Sequence, residues 1–327
     1  EVRVDMATLR PGLLALVFAV MLGEAAPTLA RTWYIMPDGM GDAPTIHAGL
    51  DSASYGDTVL VAPGTYMSTD DPETQFDPGA GTALISESGP DVTILEFCDS
   101  DIGILLIDCE GARVSGFTVR HGAIGPDCGC SMGWKTGIRL SSCTDVVVED
   151  CVVENLDYGI RVGGESLEWW MPVLRNNLIR NCTYGISCTD VSQPSRPLFD
   201  GNTVTGCGWG VEVWDAHPNF ESCNIVHSTE KGMGYAGHCG GNVNKCVVAH
   251  NGGDGVTIYC DPPLAAPSFN GSWLPENAND FHDNGGWDLW YEHTSQQGLV
   301  MAVYNYWGSD CPDFASKIHG RVDYTPW

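Results

Sequence analysis

A glycine followed by an apolar residue recurs along the central part of this sequence and constrains the fold more than any other feature. Gly137-Ile138, Gly159-Ile160 and Gly185-Ile186 begin the series. The series continues with Gly210-Val211, Gly232-Met233 and Gly255-Val256. Successive glycines are 22, 26, 25, 22 and 23 residues apart. A period of this length is typical of solenoids, in which each repeat forms one coil.

A second marker runs in phase with these glycines. Pairs of β-forming residues lie seven residues before each glycine, or eight in the last case: Val152-Val153, Leu178-Ile179, Thr203-Val204, Ile225-Val226 and Val247-Val248. Each unit holds short β-rich runs broken by Gly, Asn or Asp, and none holds an amphipathic pattern long enough for a crossover helix. The sequence therefore predicts an all-β solenoid in which each strand pairs in parallel with the same strand of the next coil.

The residues just before the second marker predict a ladder of stacked side chains at one turn of the coil. They read Cys151, Asn177, Asn202, Asn224 and Cys246. The chain has 14 cysteines, and many of them fall inside coils. A buried free cysteine packs as a small apolar residue, whereas exported proteins also form disulfides. Both interpretations stay open for these cysteines.

The N-terminal segment has the features of an export signal. Arg10 precedes an apolar run from Leu13 to Leu22, and Thr28-Leu29-Ala30 supplies small residues for cleavage. We expect residues 1–30 to be a signal peptide, with residues 1–5 upstream of the true start at Met6. The run is shorter than the roughly 20 residues of a membrane helix, which predicts no membrane span in the mature chain. The expected location is outside the cell or at its surface, with the periplasm as an alternative.

The net charge of the chain is −27, from 42 acidic and 15 basic residues. Such a charge repels polyanions, so it argues against a nucleic-acid partner.

Segments near both ends resemble those of a known family. Pro37-Asp38-Gly39 and residues 45–51 and 56–66 are similar to the N-terminal cap of bacterial pectin-lyase-like proteins, and residues 305–308 and 322–327 resemble their C-terminal cap. The resemblance implies a right-handed, single-stranded parallel β-helix whose open end is covered by a short N-terminal helix. The expected divisions are residues 31–83 for the cap and first strands, 84–304 for the coils and 305–327 for the C-terminal cap.

Strand alternation predicts which residues point outward. The residues at the first and third positions after each repeat glycine are apolar and should face the core. The residues at the second and fourth positions should therefore face outward. The first outward file contains Arg139, Arg161, Ser187, Glu212, Gly234 and Thr257, and the second contains Trp214 and Tyr259. We expect Trp214, Tyr259, Glu212 and Arg139 to contact substrate.

Acidic residues follow this strand on successive coils. Asp190 and Asp215 lie five residues after their glycines, and Glu165 and His238 lie six after theirs. Neighbouring coils are about 4.8 Å apart, which predicts that the two aspartates are roughly 5 Å apart. That spacing suits the two carboxylates of a retaining glycosidase, so Asp190, Asp215 and His238 are candidate catalytic residues.

A lyase-like arrangement is the second chemical interpretation. Glu165, Asp190 and Asp215 are then ligands of a Ca²⁺ ion, which prefers oxygen, and Arg161 is the candidate base beside it. Calcium is the cofactor that this arrangement suggests. Acidic residues at turns also cap backbone amides, which is the structural alternative for the same carboxylates.

Other side chains suggest further binding roles. Several tryptophans, among them Trp169, Trp170, Trp209 and Trp214, offer flat faces on which sugars stack. His217, His227, His238 and His250 are candidate metal ligands.

Two functions follow from this sequence. The first is a secreted protein that binds or processes extracellular polysaccharide, as a lyase or a glycosidase. The alternative is a non-catalytic protein of a surface or matrix, similar to an adhesin. The expected partner in both cases is a polysaccharide or other glycan.

Overall fold

Three parallel sheets of nine strands each wind around one core in the computed structural model of this chain. The model describes residues 30–68, 75–98, 100–122, 133–164, 171–191, 193–260, 267–269, 278–292, 299–309 and 311–325. The predicted signal peptide lies outside these residues except for Ala30. Each coil between the two ends contributes one strand to each sheet, and each strand pairs with its counterpart in the neighbouring coil. The architecture is the predicted parallel β-helix.

The strands belong to the sheets as follows. Sheet 1 contains β1 (Thr32–Ile35), β2 (Thr58–Val61), β4 (Ala83–Ser86), β7 (Arg113–Ser115), β10 (Val147–Glu149), β13 (Val173–Arg175), β16 (Leu198–Asp200), β19 (Asn219–Glu221) and β22 (Asn242–Asn244). Sheet 2 contains β3 (Gly64–Met67), β5 (Thr93–Phe97), β8 (Thr118–His121), β11 (Val152–Glu154), β14 (Leu178–Arg180), β17 (Thr203–Thr205), β20 (Asn224–Val226), β23 (Val247–Ala249) and β25 (Asp280–His282). Sheet 3 contains β6 (Ile102–Ile107), β9 (Thr136–Ser141), β12 (Tyr158–Gly164), β15 (Tyr184–Val191), β18 (Trp209–Trp214), β21 (Lys231–Gly237), β24 (Val256–Cys260), β26 (Leu289–Tyr291) and β28 (Ile318–His319). A separate pair consists of β27 (Val300–Met301) and β29 (Val322–Asp323).

Helix α1 (Ile46–Ser52) is the expected capping helix. Its first turn is capped by the Thr45 hydroxyl, which accepts a hydrogen bond from the Ala48 N–H at 3.1 Å. Gly49 lets the helix approach the first coil, because a Cβ at this position would lie 2.8 Å from the Ile35 Cδ1 atom. A second helix, α2 (Phe314–Lys317), precedes the last strand of sheet 3. In the described part of the chain, no helix combines the length and apolar character needed to cross a membrane.

The repeat glycines mark close approaches between coils. A Cβ on Gly159 would lie 2.4 Å from Ile179 Cγ2 and 2.6 Å from the Gly185 carbonyl oxygen. A Cβ on Gly185 would meet Val204 and the carbonyl of Gly210 in the same way. The series is therefore set by space, because only glycine lets the next coil pack this closely.

The polar ladder occupies the corner between sheets 1 and 2, with one correction to its predicted members. The Asn177 and Asn202 side chains accept hydrogen bonds from the backbone N–H of Cys151 and Asn177, each at 3.0 Å. The next member is Cys223 rather than Asn224. Thr203 pairs with Asn224 and Val204 with Ile225, so Asn224 belongs to the strand and is exposed.

The ladder also continues past the predicted end of the coils. The Asn279 side chain accepts from the Cys246 N–H, and the Asn305 side chain accepts from the Asn279 N–H, each at 2.9 Å. The stacking therefore extends into the predicted C-terminal cap.

Both interpretations of the cysteines apply, at different positions. Within the described chain the buried free thiols are Cys109, Cys143, Cys151, Cys182, Cys188, Cys207, Cys223 and Cys246. Burial raises the pKa of Cys151 to about 12, so this thiol stays protonated. Cys239 and Cys260 instead form a disulfide between neighbouring coils, with Cα atoms 5.8 Å apart.

Candidate functional site

The outer face of sheet 3 has the predicted register. Arg139 pairs with Arg161, Arg161 with Ser187 and Ser187 with Glu212, so the first outward file runs from coil to coil without a break. The residues one and three positions after each repeat glycine point into the core, where Ile160 and Val162 have no exposed surface. The second outward file places Trp214 and Tyr259 at its exposed edge, with 50% and 45% of their surface accessible.

A third file on this face consists mainly of aromatic rings. Tyr158, Tyr184 and Trp209 each directly precede a repeat glycine and pair with one another across coils. The ring centroids of Tyr158 and Tyr184 are 4.9 Å apart and the rings are stacked. Trp134 and Trp209 extend the row at either end, at 5.7 Å and 6.0 Å.

The aromatic row continues beyond Trp209 through a lysine. The Lys231 Nζ atom lies 4.9 Å from the centre of the Trp209 ring and 5.2 Å from that of Tyr259. Tyr259 in turn lies 4.8 Å from Trp290. We call the set Trp134, Tyr158, Tyr184, Trp209, Tyr259 and Trp290 the aromatic path. It runs along the axis of the solenoid.

A groove of about 400 Å³ opens beside the middle of this path. Glu212, Trp209, Trp214 and Tyr259 contribute side chains to its lining, with Gly234 at its base. Gly234 is needed there because a Cβ would lie 2.8 Å from Cζ3 of the Trp209 ring. The Trp209 ring therefore lies over the next coil. Concave sites lined by aromatic rings with few polar groups are typical of ligand binding.

Glu212 is the carboxylate inside the groove. Its Oε2 atom accepts a hydrogen bond from the buried Ser187 hydroxyl at 2.9 Å, which fixes its position. Burial together with the nearby Glu212 charge raises the pKa of Tyr158 and of Tyr184. Both tyrosines are therefore neutral hydrogen-bond donors near neutral pH.

Three cations accompany the path. Arg139 and Arg161 lie in the Glu212 file, and the Arg161 guanidinium carbon is 5.3 Å from the centre of the Tyr158 ring. Among the described residues neither arginine nor Lys231 forms a salt bridge. Carboxylates lie beside the path as well, since Glu230 accepts a hydrogen bond from Trp209 Nε1 at 2.7 Å, so this face presents both signs of charge.

A bulge separates the predicted catalytic residue Asp190 from the coil that precedes it. Gly163 pairs with Thr189 and Gly164 with Val191, so Asp190 between them has no partner residue in the preceding coil. Toward the next coil the register is unbroken, because Thr189 pairs with Trp214 and the Val191 N–H binds the Asp215 carbonyl at 3.1 Å, so Asp190 and Asp215 occupy matching positions on neighbouring coils. Asp190 is exposed in a left-handed conformation, with φ +55°.

Asp215 has a structural role toward the matching turn of the next coil. Its Oδ1 atom accepts a hydrogen bond from the His238 backbone N–H at 2.6 Å, and Gly237 packs against the same oxygen. Asp215 and His238 therefore lie at the rim of the groove, next to Gly237, while the His238 side chain is exposed. The roles of Asp190, Asp215, His238 and Arg161 in catalysis stay predictions.

The predicted calcium site stays a prediction. Glu165 lies outside the described residues, and Asp215 uses one carboxylate oxygen for a backbone hydrogen bond. Among the residues that the structure describes, Asp190 and Asp215 belong to no group of three or more converging His, Cys, Asp or Glu ligand atoms. A calcium ion takes six to eight oxygens, many more than the two aspartates supply.

Sequence reasoning missed Tyr158, Tyr184 and Lys231. Each lies directly before a repeat glycine, so the repeat itself carried the signal. Trp209 shares this position and was predicted only as one sugar-stacking tryptophan among several.

A family model decides the relationship of the chain. The model, described as a right handed beta helix region, matches residues 73–193, 102–266 and 172–294. The chain belongs to this right-handed β-helix family. The match confirms the fold that the cap segments implied, while curated proteins give no sequence match.

Solved structures share the solenoid at low identity. The A-module of mannuronan C-5 epimerase AlgE4 from Azotobacter vinelandii has a TM-score of 0.56 and 13% identity, covering 86% of this chain and 93% of that one. An alginate lyase from Paenibacillus sp. has a TM-score of 0.52 and 13% identity, covering 90% and 99%. The ORF18 protein of Geobacillus virus E2 has a TM-score of 0.59 and 12% identity, covering 85% and 56%. At these identities the likeness shows the fold alone.

Proposed function

We propose that this β-helix protein binds extracellular polysaccharide along the outer face of sheet 3. The observation that carries the proposal is the aromatic path beside the groove, because flat rings repeated along one axis suit a chain of pyranose units. Two of the similar structures, an epimerase and a lyase, have names that refer to mannuronan and alginate. Arg139, Arg161 and Lys231 along the path favour a uronate-containing chain.

We further propose that the protein acts outside the cytoplasm. The signal-like residues 1–30 support this location. The Cys239–Cys260 disulfide supports it too, since disulfides persist in oxidising compartments.

Binding is tested by substituting a ring of the groove. Trp214→Ala removes a half-exposed ring, and we expect the affinity for the bound polysaccharide to fall about tenfold, or about 1.4 kcal/mol. Isothermal titration against neutral and uronate-rich polysaccharides measures the change. Tyr306→Ala is the matched control, because Tyr306 is equally exposed but pairs with sheet 2. Equal losses in both variants, or no binding to any polysaccharide, would overturn the proposal.

Processing of the polysaccharide is the second candidate function, and the position of Glu212 favours it. Glu212 is held by Ser187 inside the groove, with cations beside it that can pair with a uronate carboxylate. In a lyase reaction Glu212 would accept the proton next to that carboxylate. The glycosidic bond then breaks, the leaving oxygen takes a proton, and an unsaturated sugar remains.

An assay of products separates processing from binding. Absorbance of unsaturated ends detects a lyase and new reducing ends without absorbance detect a glycosidase, each measured with calcium and with a chelator. We expect Glu212→Gln to keep binding and to abolish turnover. Binding without any product across the panel would overturn processing and leave the non-catalytic alternative.

A further inference from the structure

Two histidines and an aspartate converge on neighbouring coils, on the side of sheet 2 away from the groove-lining residues. His250 directly follows β23, while His282 ends β25 and Asp283 follows it in the next coil. Pairing of Ala249 with His282 places these residues at the same corner. One ligand atom from each residue lies within 4.8 Å of the others. Among the described residues no other such group was found.

The distances fit a tetrahedral metal ion. The Asp283 Oδ2 atom is 2.9 Å from His282 Nδ1 and 3.9 Å from His250 Nδ1. Metal bonds of about 2.0–2.1 Å place tetrahedral ligands about 3.4 Å apart, a value between these two distances. Small side-chain rotations therefore bring all three atoms to coordinating positions.

A second carboxylate lies behind one of the rings. Asp280 Oδ2 is 3.6 Å from His282 Nε2, on the opposite edge of the ring from Asp283. Metal-binding histidines commonly use one nitrogen for the metal and the other for a carboxylate, which fixes the orientation of the ring. The other oxygen of Asp280, Oδ1, is buried and has no hydrogen-bond partner among the described residues.

His227 and His250 share one backbone position on neighbouring coils. Coil after coil, the position following the sheet 2 strand has a positive φ, and it holds Asn155 and Asn181 in earlier coils. His227 and His250 occupy it with φ +58° and +57°. Histidine, like asparagine and aspartate, is enriched at positive φ, so the imidazoles fit this turn without backbone conflict. Stacking of the His227 and His250 rings, 5.4 Å apart, keeps them aligned.

We infer that His250, His282 and Asp283 form a binding site for a divalent transition metal of the zinc class. Imidazole nitrogen with carboxylate oxygen suits Zn²⁺, Ni²⁺ or Cu²⁺ rather than Ca²⁺ or Mg²⁺. Three protein ligands leave one position for water or another ligand. The His250 and Asp283 side chains are 46% and 68% exposed, so an ion can reach them from solvent. The site joins two coils.

Zinc titration of the metal-free protein tests the site. The parent carries Cys311→Ser, because Cys311 is an exposed thiol that can bind zinc. Calorimetry should show one strong zinc site that calcium does not compete for. His250→Asn and Asp283→Asn should each weaken zinc at least about tenfold. Both replacements suit the left-handed turn, and His319→Asn is the control for an exposed histidine elsewhere.

A stability measurement accompanies the titration. Zinc should raise the unfolding temperature of the parent and of His319→Asn but not that of Asp283→Asn, with equal temperatures for all three in the absence of metal. A Co²⁺ complex with tetrahedral absorption bands supports the ligand set. Equal zinc affinity in the parent, His250→Asn and Asp283→Asn would overturn the assignment, as would equally tight calcium binding.

Discussion

The outer faces of this solenoid differ in whether their charged side chains form salt bridges. On the sides of sheets 1 and 2, carboxylates are clamped between arginines of neighbouring coils. Glu149 is bound by Arg113 Nε at 2.6 Å and by Arg175 Nε at 2.5 Å. On sheet 3, Arg161 and Lys231 lie over aromatic rings and, within the described chain, form no salt bridge.

The paired carboxylates hold neighbouring coils together, whereas the charges on sheet 3 are not used in salt bridges between coils among the described residues. Glu149 is almost completely buried, and Glu154 lies between Arg120 and Arg180 in the same manner. Glu212 on sheet 3 has only the Ser187 hydroxyl as its hydrogen-bond donor among the described residues. One backbone repeat therefore supports two surfaces, one self-paired and one open to a ligand.

The largest expected difference between the two faces is in stability, when a glutamate on each face is replaced by glutamine. Glu149→Gln leaves two half-exposed arginines without their carboxylate, and we expect a loss of about 2 kcal/mol in the free energy of unfolding. Glu212→Gln keeps the hydrogen bond from Ser187, so we expect a change within about 0.5 kcal/mol. Urea unfolding of both variants measures the contrast. Similar losses in both would show that the faces do not differ.

Acid should reduce the contribution of Glu149 to the free energy of unfolding. Burial alone would raise the pKa of Glu149, but hydrogen bonds from Arg175 and Arg113 outweigh it and lower the pKa below its ordinary value. The stabilisation is therefore complete above the ordinary pKa and is lost as the pH falls below it. We expect the difference between wild type and Glu149→Gln to shrink at about pH 3.5. A constant difference between neutral and acidic pH in urea unfolding would contradict this assignment.

The smallest expected effect concerns the open face. Lys231→Gln removes a cation beside Trp209, and we expect the affinity for a uronate polysaccharide to fall about fivefold, or about 1 kcal/mol. High salt should reduce this difference, because it screens exposed charges. Lys245→Gln is the control, since Lys245 is paired with Glu221. Titration calorimetry at low and high salt compares the variants, and an equal loss in Lys245→Gln would argue against a specific role of Lys231.

Sequence alone was sufficient for the coils and for the orientation of sheet 3. The repeat glycines carry that information, because the space beside Gly159 and Gly185 admits no Cβ. The predicted ladder was wrong by one residue at Cys223. The prediction aligned Ile225-Val226 with Thr203-Val204, whereas the structure pairs Thr203 with Asn224. A strand of three residues gives too short a pattern to fix its register.

The candidate site was less predictable from sequence. Glu212, Trp214 and Tyr259 were predicted to face outward, and they line the groove together. The bulge at Asp190 was not predicted, because a bulge depends on how the following chain packs and not on strand alternation. The hydrogen bond that Asp215 accepts from the His238 N–H depends in the same way on how neighbouring coils pack.

The glycine series also restricts how a molecule of this kind can change in evolution. Each repeat glycine lies against the carbonyl of the next one, so inserting a single residue within a strand would place a Cβ where no atom fits. Duplicating a whole coil preserves every such contact. Lineages of this protein are therefore expected to lengthen by complete coils and to vary between strands, so that the outer face of sheet 3 grows in whole steps.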